Sequence, residues 1–302
     1  MPAEDPKALA QGNRTIVWLA SYPKSGNTWL RSLLHAYLYP DEPLDLNDLG
    51  GGPVQLARQT LDDYCAISSG EMLPEELIPY RAILHAHLAK QCTFPAFIKT
   101  HDAYTVGRSG QPLFPQECSA GAIYIARDPV DIVPSLAHHE GRDLDWTINR
   151  LADPHAALNQ WTDKSSTALP EYTSSWSGNV ASWFGQTEIP VLHIRYEDMH
   201  TDPASTLDQV LKFCSLQVDQ SKIAAAVSAC TFDALQRLEG ARGFREKPSS
   251  QRAFFRSGKV GEGRATLSVE QQQSIIATHR EWMEKLGYAS EVPTESRAGL
   301  QD

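Results

Sequence analysis

The sequence predicts an α/β fold: a parallel sheet flanked by helices on both faces. Short apolar runs that read as buried strands alternate with longer stretches of helical periodicity, the order that gives crossover connections and a parallel sheet. The charged residues Lys24, Lys99, His101 and Arg127 fall at the ends of these runs, where sheets of this class bind ligands. The chain of 302 residues is 41% hydrophobic and 21% charged, which supports a full globular core built as one large domain or two small ones.

The first element is the strand Ile16-Val17-Trp18-Leu19-Ala20. After it, Leu30, Leu33, Leu34, Tyr37 and Leu38 follow the i, i+3, i+4, i+7, i+8 spacing of a helix with one apolar face. The turn between them, Lys24-Ser25-Gly26-Asn27-Thr28, sets backbone N–H groups, hydroxyls and an ammonium around a helix N-terminus. Unpaired donors and the helix dipole favour an anion such as phosphate there. The G-x-x-x-x-G-K-[ST] pattern of ATP-type P-loops is absent, because the lysine precedes the glycine. Further strands are expected in "PAFIKTH" (95–101), "AGAIYIARDP" (120–129) and "IPVLHIRYEDM" (189–199). Asp128 caps a helix that Pro129 opens, and Pro134 lies inside it as a kink. Asp202-Pro203 starts another helix, and Ser268 with Gln271 forms a capping box for a last one that Gly287 stops. The Gly-, Pro- and charge-rich segments 41–55 and 240–251 read as mobile loops.

A formal charge of −10 disfavours a general nucleic-acid or anionic-membrane surface, so an anion site has to be a local basic pocket. The five cysteines are odd in number, widely spaced and lack a C-x-x-C pair, which indicates neither a disulfide framework nor a zinc finger. The first residues, "MPAEDPKALAQGNR", have no signal-peptide apolar core, and no run approaches the ~20 apolar residues of a membrane span. A cytoplasmic location and no membrane or nucleic-acid partner are the resulting expectations.

Several stretches together resemble the sulfotransferases that use 3′-phosphoadenosine 5′-phosphosulfate (PAPS), in their soluble form. "SYPKSGNTW" (21–29) is similar to that family's loop for the 5′-phosphosulfate, with Asn27 where threonine is usual. "ARDPVDIVPS" resembles its 3′-phosphate motif, in which Arg127 and Ser135 share one phosphate. "KTH" (99–101) resembles the segment with the catalytic histidine, "RYEDM" the stretch whose tyrosine, Tyr196, lies against adenine, and "FRSGKVGEG" (255–263) the loop that closes on the 3′-phosphate. "CTFDAL" (230–235) resembles the adenine-side segment, with Thr231 and Phe232.

The matches keep the family's order from residue 16 to about 265. They imply a P-loop-like fold, a single domain over 15–290, flexible ends at 1–14 and 291–302, PAPS as donor and PAP as product. They also imply donor contacts at Lys24, Ser25, Gly26, Asn27, Thr28, Trp29, Arg127, Ser135, Tyr196, Thr231, Phe232, Arg256, Ser257 and Gly258, and catalytic roles for His101, Lys24 and Lys99.

Two stretches depart from the family's pattern: the closing loop, with Ser257 where a basic residue is usual and Gly263 where tryptophan is usual, and the adenine-side segment, with Cys230 where threonine is common and Thr231 as the available substitute. Lys259 and Arg264 are the available substitutes for the missing cation. The family's dimer motif is barely visible in "RATLSVEQQQ", so the oligomeric state stays open.

Sulfuryl transfer asks the protein to align nucleophile and leaving group and to neutralise charge spreading onto the leaving phosphate. Lys24 suits the leaving phosphate, Lys99 the acceptor side or the sulfuryl oxygens, and His101 the acceptor hydroxyl's proton. No metal is required, and the obvious carboxylate, Asp128, serves better as a helix cap. The pairs His85/His87 and His138/His139 lack a third metal ligand and read as pocket lining or surface. A kinase with an irregular P-loop and a non-catalytic nucleotide-binding module are the rival readings.

Loops 41–55, 65–95, 103–119 and 138–178, with Tyr64, Tyr104 and Trp146, are expected to shape the site of a small-molecule hydroxyl acceptor. A likeness to natural-product tailoring sulfotransferases implies a secondary metabolite or glycoside.

Overall fold

The computed structural model describes residues 14–50, 57–159, 167–248, 251 and 253–288. The expected flexible ends, apart from Arg14, lie outside the described residues, as do 51–55 and 249–250 of the two expected loops. Four strands, β1 (Ile16–Ser21), β2 (Ala96–Thr100), β3 (Ser119–Ala126) and β4 (Val191–Arg195), form one sheet in the order β2-β1-β3-β4, and every pairing is parallel. All four expected strands are therefore present; β1 runs one residue further, to Ser21, while β2, β3 and β4 stop short of the ends of their expected stretches. The trimming has a local cause at β3 and β4: Pro129 and Tyr196 are already the first residues of helices.

Along the sheet, side chains alternate between two cores, as the period of two requires. Ile16, Trp18 and Ala20 of β1, with Ala122 and Tyr124 of β3, face helices α4 (Pro129–Glu140), α5 (Leu144–Ala152), α6 (Trp176–Gly185) and α12 (Val269–Lys285). Val17 and Leu19, with Ile123 and Ile125, face α1 (Asn27–Leu38), α7 (Tyr196–Thr201), α8 (Pro203–Phe213), α9 (Gln220–Ala229) and α10 (Phe232–Arg242). Strands buried on both faces explain why β1 and β3 read as continuous apolar runs rather than alternating ones. A small third cluster joins α2 (Arg58–Cys65) to α3 (Ile78–Gln91) through Leu61 and Leu84.

The capping signals operate as the sequence indicates. Asp128 accepts the Val130 N–H at 2.9 Å, Asp202 accepts from Ser205, and Ser268 and Gln271 close a reciprocal box. Past α12, Gly287 takes the left-handed conformation. The segment 240–251 is not wholly a loop, because α10 continues to Arg242.

Helix α4 runs through Pro134 as one element. A proline has no N–H to offer the carbonyl four residues back, so the Val130 carbonyl loses its helical partner. The short helix α11 (Glu262–Thr266) packs against that spot: a Cβ on Gly263 would stand 1.9 Å from the Val130 oxygen. Asp131 holds α11 there by accepting the Gly261 and Gly263 N–H groups at 2.7 and 2.8 Å. Gly263, an oddity in the sequence, is thus required by this backbone contact.

Candidate active site

Beyond the carboxyl ends of β1, β2 and β3 lies a cavity of about 690 Å³. The β1–α1 turn forms its floor. Lys24 sits there with φ +68°, and Gly26 with φ +98°. Gly26 is needed twice over, for that left-handed geometry and because a Cβ would come 2.6 Å from the Tyr196 ring. The turn delivers the N-terminus of α1, whose first N–H groups have no intrahelical acceptor.

Arg127, at the end of β3, donates to the Lys24 carbonyl at 2.9 Å and to the Lys259 carbonyl at 3.3 Å, with its guanidinium 4.2 Å from the centre of the Tyr196 ring. Its Nε is buried without a partner, as is the Ser25 hydroxyl. Unmet donors beside a helix N-terminus are the chemistry of an anion site. Tyr196 donates to the Gly258 carbonyl at 2.9 Å, while Trp29 meets its ring edge-on and donates to the Cys230 carbonyl.

Among the described residues, every expected donor-site residue except Ser25 lines this cavity: Lys24, Gly26, Asn27, Thr28, Trp29, Arg127, Ser135, Tyr196, Thr231, Phe232, Arg256, Ser257 and Gly258. Several have further duties. Asn27 spends its amide on the Leu19 carbonyl and the Ser21 hydroxyl, tying the turn to β1. Thr231 caps α10, accepting from Ala234, and Arg256 pairs with Glu262 at 2.6 Å. Arg264 does not replace the cation missing at Ser257. It reaches away from the main cavity to Asp128 at 3.3 Å and the Tyr288 carbonyl at 3.1 Å, beside a separate small pocket. Lys259 contributes its carbonyl to Arg127, and its side chain is not among the lining groups.

His101 and Lys99 complete the other end. His101 Nδ1 is 2.8 Å from the Ser21 carbonyl; an oxygen that only accepts requires the proton on Nδ1, which leaves Nε2 with a free lone pair. Burial and the Lys99 charge push the imidazole down to about 3, so it is neutral at physiological pH. The next residue, Asp102, is clamped by buried Arg81 through two contacts of 2.7 and 3.2 Å and by the Tyr172 N–H at 2.7 Å, which fixes the end of β2. Lys24 is also shifted: burial, then the charges of Lys99, Arg127 and Arg256, lower its ammonium to about 7 against the opposing pull of Glu246. The ammonium stands 3.9 Å over the Phe254 ring.

Sequence reasoning missed several lining groups. Glu246, from a segment read only as a loop, bridges Lys99 at 2.7 Å and Arg31 at 2.6 Å. Burial acts to raise its carboxyl, and the two cations override it and hold it at about 2. Glu171 accepts the His101 N–H at 2.8 Å. Burial and Asp102 raise Glu171 to about 7 despite the opposing effects of Lys99, that N–H and Arg81. Phe254 lines the cavity too. Glu246, Glu171 and Phe254 lie outside the strands and helices, so no periodicity marks them. His138 and His139, for which pocket lining is one of the two expectations, line the cavity from the last turn of α4.

The expected acceptor lining needs correction. Tyr64 stacks on His87, Tyr104 packs against Phe114 and Trp183, and Trp146 lies beside Arg142 on the surface; none of the three lines the cavity. Loops 65–95 and 103–119 supply no lining residue among those described, whereas 138–178 supplies several. His85 is a core residue between Trp18 and Phe114, apart from His87.

The sulfotransferase domain family model matches residues 14–287. Flavonol 4′-sulfotransferase of Flaveria chlorifolia is 24% identical over 276 residues, covering 86% of this chain and 76% of that protein. Sulfotransferase 1A1 of Canis lupus familiaris is 25% identical over 276 residues, covering 89% and 83%. Among solved structures, mouse sulfotransferase SULT7A1 complexed with PAP superposes with a TM-score of 0.59 at 19% identity, covering 92% of this chain and 86% of that one. Retinol dehydratase in complex with androsterone and PAP gives 0.55 at 17% identity, covering 96% and 85%.

Proposed function

Because the chain belongs to the sulfotransferase family, we propose that it moves the sulfuryl group of PAPS to a hydroxyl of a small-molecule acceptor by in-line displacement, within one domain over 15–290. The observation that carries this reading is the convergence of Lys24, Arg127, Tyr196, Lys99 and His101 on one cavity, from four separate stretches of sequence. The buried, unpartnered Arg127 Nε and Ser25 hydroxyl suit a phosphorylated donor.

Arg127 and Ser135 hold the 3′-phosphate, with the N-terminus of α1, Ser25 and Thr28 around the 5′-phosphate. Trp29, Tyr196 and Phe232 flank the adenine. Lys24 lies where the bridging oxygen leaves and stabilises the charge that gathers on the phosphate. Lys99 orients the sulfuryl oxygens. His101 Nε2 takes the proton as the acceptor oxygen forms its bond to sulfur and the sulfur–oxygen bond to the phosphate breaks, leaving sulfated acceptor and PAP. No step requires a metal.

The relatives' designation as cytosolic sulfotransferases supports a cytoplasmic site, and no described helix is long and apolar enough to cross a membrane. Androsterone and retinol in neighbouring structures support a small-molecule acceptor.

A thermal-shift comparison of adenosine 3′,5′-bisphosphate, AMP and ATP tests the nucleotide. The bisphosphate should raise Tm most, since only it engages both phosphate sites. Preference for ATP with Mg²⁺ would overturn the reading in favour of a kinase.

A further inference from the structure

One carboxyl has no part in the chemistry above. Glu171 is 5% exposed, lines the cavity and accepts the backbone N–H of His101 on Oε1 at 2.8 Å. Its backbone pairs both ways with Leu158, at 2.8 and 3.1 Å, so the carboxyl is held on a fixed support rather than a loose tip. A carboxylate offers about four acceptor positions, and burying it is costly unless they are met. An acceptor with a single hydroxyl gives its one proton to His101 and would strip water from Glu171 without replacing it. Asn159 and His139 are further polar residues lining the same cavity.

Resting on the sulfotransferase reading, we propose that Glu171 binds the acceptor through a second hydroxyl adjacent to the one that is sulfated, so that the preferred acceptors are vicinal diols of the kind found in sugars and other polyols. A hydroxyl suits this carboxyl in either ionisation state, donating to the carboxylate or accepting from the acid. That matters for a group that burial and Asp102 bring close to neutrality.

The test compares trans-1,2-cyclohexanediol with cyclohexanol, which share a skeleton and a weakly acidic hydroxyl, in the wild type and in Glu171→Gln. The glutamine oxygen can keep the His101 N–H contact while an NH₂ replaces the other oxygen. Wild type should prefer the diol by roughly 10- to 100-fold in kcat/KM, the usual cost of leaving a buried polar group unpaired. In Glu171→Gln the diol's KM should rise by about that factor with kcat little changed, so that the preference for the diol over cyclohexanol is lost. Equal use of the two alcohols by wild type, or equal loss of both in the variant, would overturn the proposal; the second result would make Glu171 a support for His101 only. Calorimetry of PAP binding, run alongside, separates the layers. Intact PAP binding without diol preference sinks Glu171's role alone, whereas absent PAP binding sinks the sulfotransferase reading and this proposal with it.

Discussion

The two ends of the cavity are built by different means. The donor end is made of short contiguous segments, each fixed by the strand that feeds it: the β1–α1 turn, the Arg127 end of β3 and Tyr196 after β4. Its groups hold one another, as when Arg127 donates to the Lys24 carbonyl and stacks on Tyr196, and the 255–263 segment adds the Lys259 and Gly258 carbonyls as acceptors for the same two side chains. The acceptor end takes one strand terminus, Lys99 and His101, and finishes its wall with loops joined by isolated bridges such as Leu158–Glu171 and Ala57–Ala168. A frame of strand ends on one side and a wall of loops on the other would suit one constant and one variable ligand, because loops can change without disturbing the sheet.

If the ends are separable in this way, single substitutions should damage one and spare the other. The largest effect is expected at His101. His101→Ala should lower turnover of an aliphatic alcohol by about 10²- to 10⁴-fold, the usual contribution of a positioned general base. PAP affinity, measured by calorimetry, should stay near wild type. Parallel loss of PAP binding would show that the two ends are one mechanical unit.

Arg127→Ala is the converse. Losing a charge-assisted partner of a buried phosphate should weaken PAP by roughly 10- to 100-fold. AMP, which lacks the 3′-phosphate, should be affected far less, and a comparable loss for both nucleotides would remove Arg127 from that phosphate.

A smaller effect is expected where α11 rests on α4. Gly263→Ala puts a methyl 1.9 Å from the Val130 oxygen, so α11 has to lift from α4. Overpacking of this kind costs about 1–3 kcal/mol, readable as a lower midpoint in urea unfolding. PAP affinity should fall with it, because α11 carries the segment whose Lys259 and Gly258 carbonyls engage Arg127 and Tyr196. An unchanged midpoint would mean that the loop closes independently of α4.

The same contrast explains what the sequence disclosed. The strands, the caps at Asp128, Asp202 and Ser268, and the donor-end residues lie in compact patterns whose physics is local: apolar periodicity, a proline at a helix start, a lysine and glycine in a strand-to-helix turn. Glu171, Glu246 and Phe254 are brought in by long-range pairing, and no local rule marks a glutamate that will meet a lysine 147 residues away. Tyr64, Tyr104 and Trp146 misled for a related reason. An aromatic side chain in a presumed loop fits a ligand pocket and a packing role equally well, and here stacking on His87, core packing with Trp183 and contact with Arg142 account for them. Gly263 became intelligible only when Pro134, 129 residues earlier, was seen to bare the carbonyl it rests on.

The subtlest expected effect concerns protons. Lys24 is held down to about 7 in the nucleotide-free protein by burial and by Lys99, Arg127 and Arg256. Near and above neutral pH a fraction of the molecules therefore carries an uncharged Lys24. The anionic groups of PAP favour the ammonium and raise its pKa in the complex, so binding should take up a proton, approaching one per site as pH rises above 7. The sign follows: affinity declines with rising pH, by up to about one log unit per pH unit, until the pKa of the complex is reached. Calorimetry in buffers of different ionisation enthalpy measures the uptake directly, and at pH 8 the nucleotide's own phosphates, with a second pKa of about 6, contribute little. Lys24→Arg provides the control, since a guanidinium stays charged throughout and should bind PAP without taking up the proton. If wild type and Lys24→Arg take up the same number of protons, the titrating group is not Lys24, and the donor end recruits its charge from a residue across the cavity, which would erase the separation of the two ends at the one point where their cations meet.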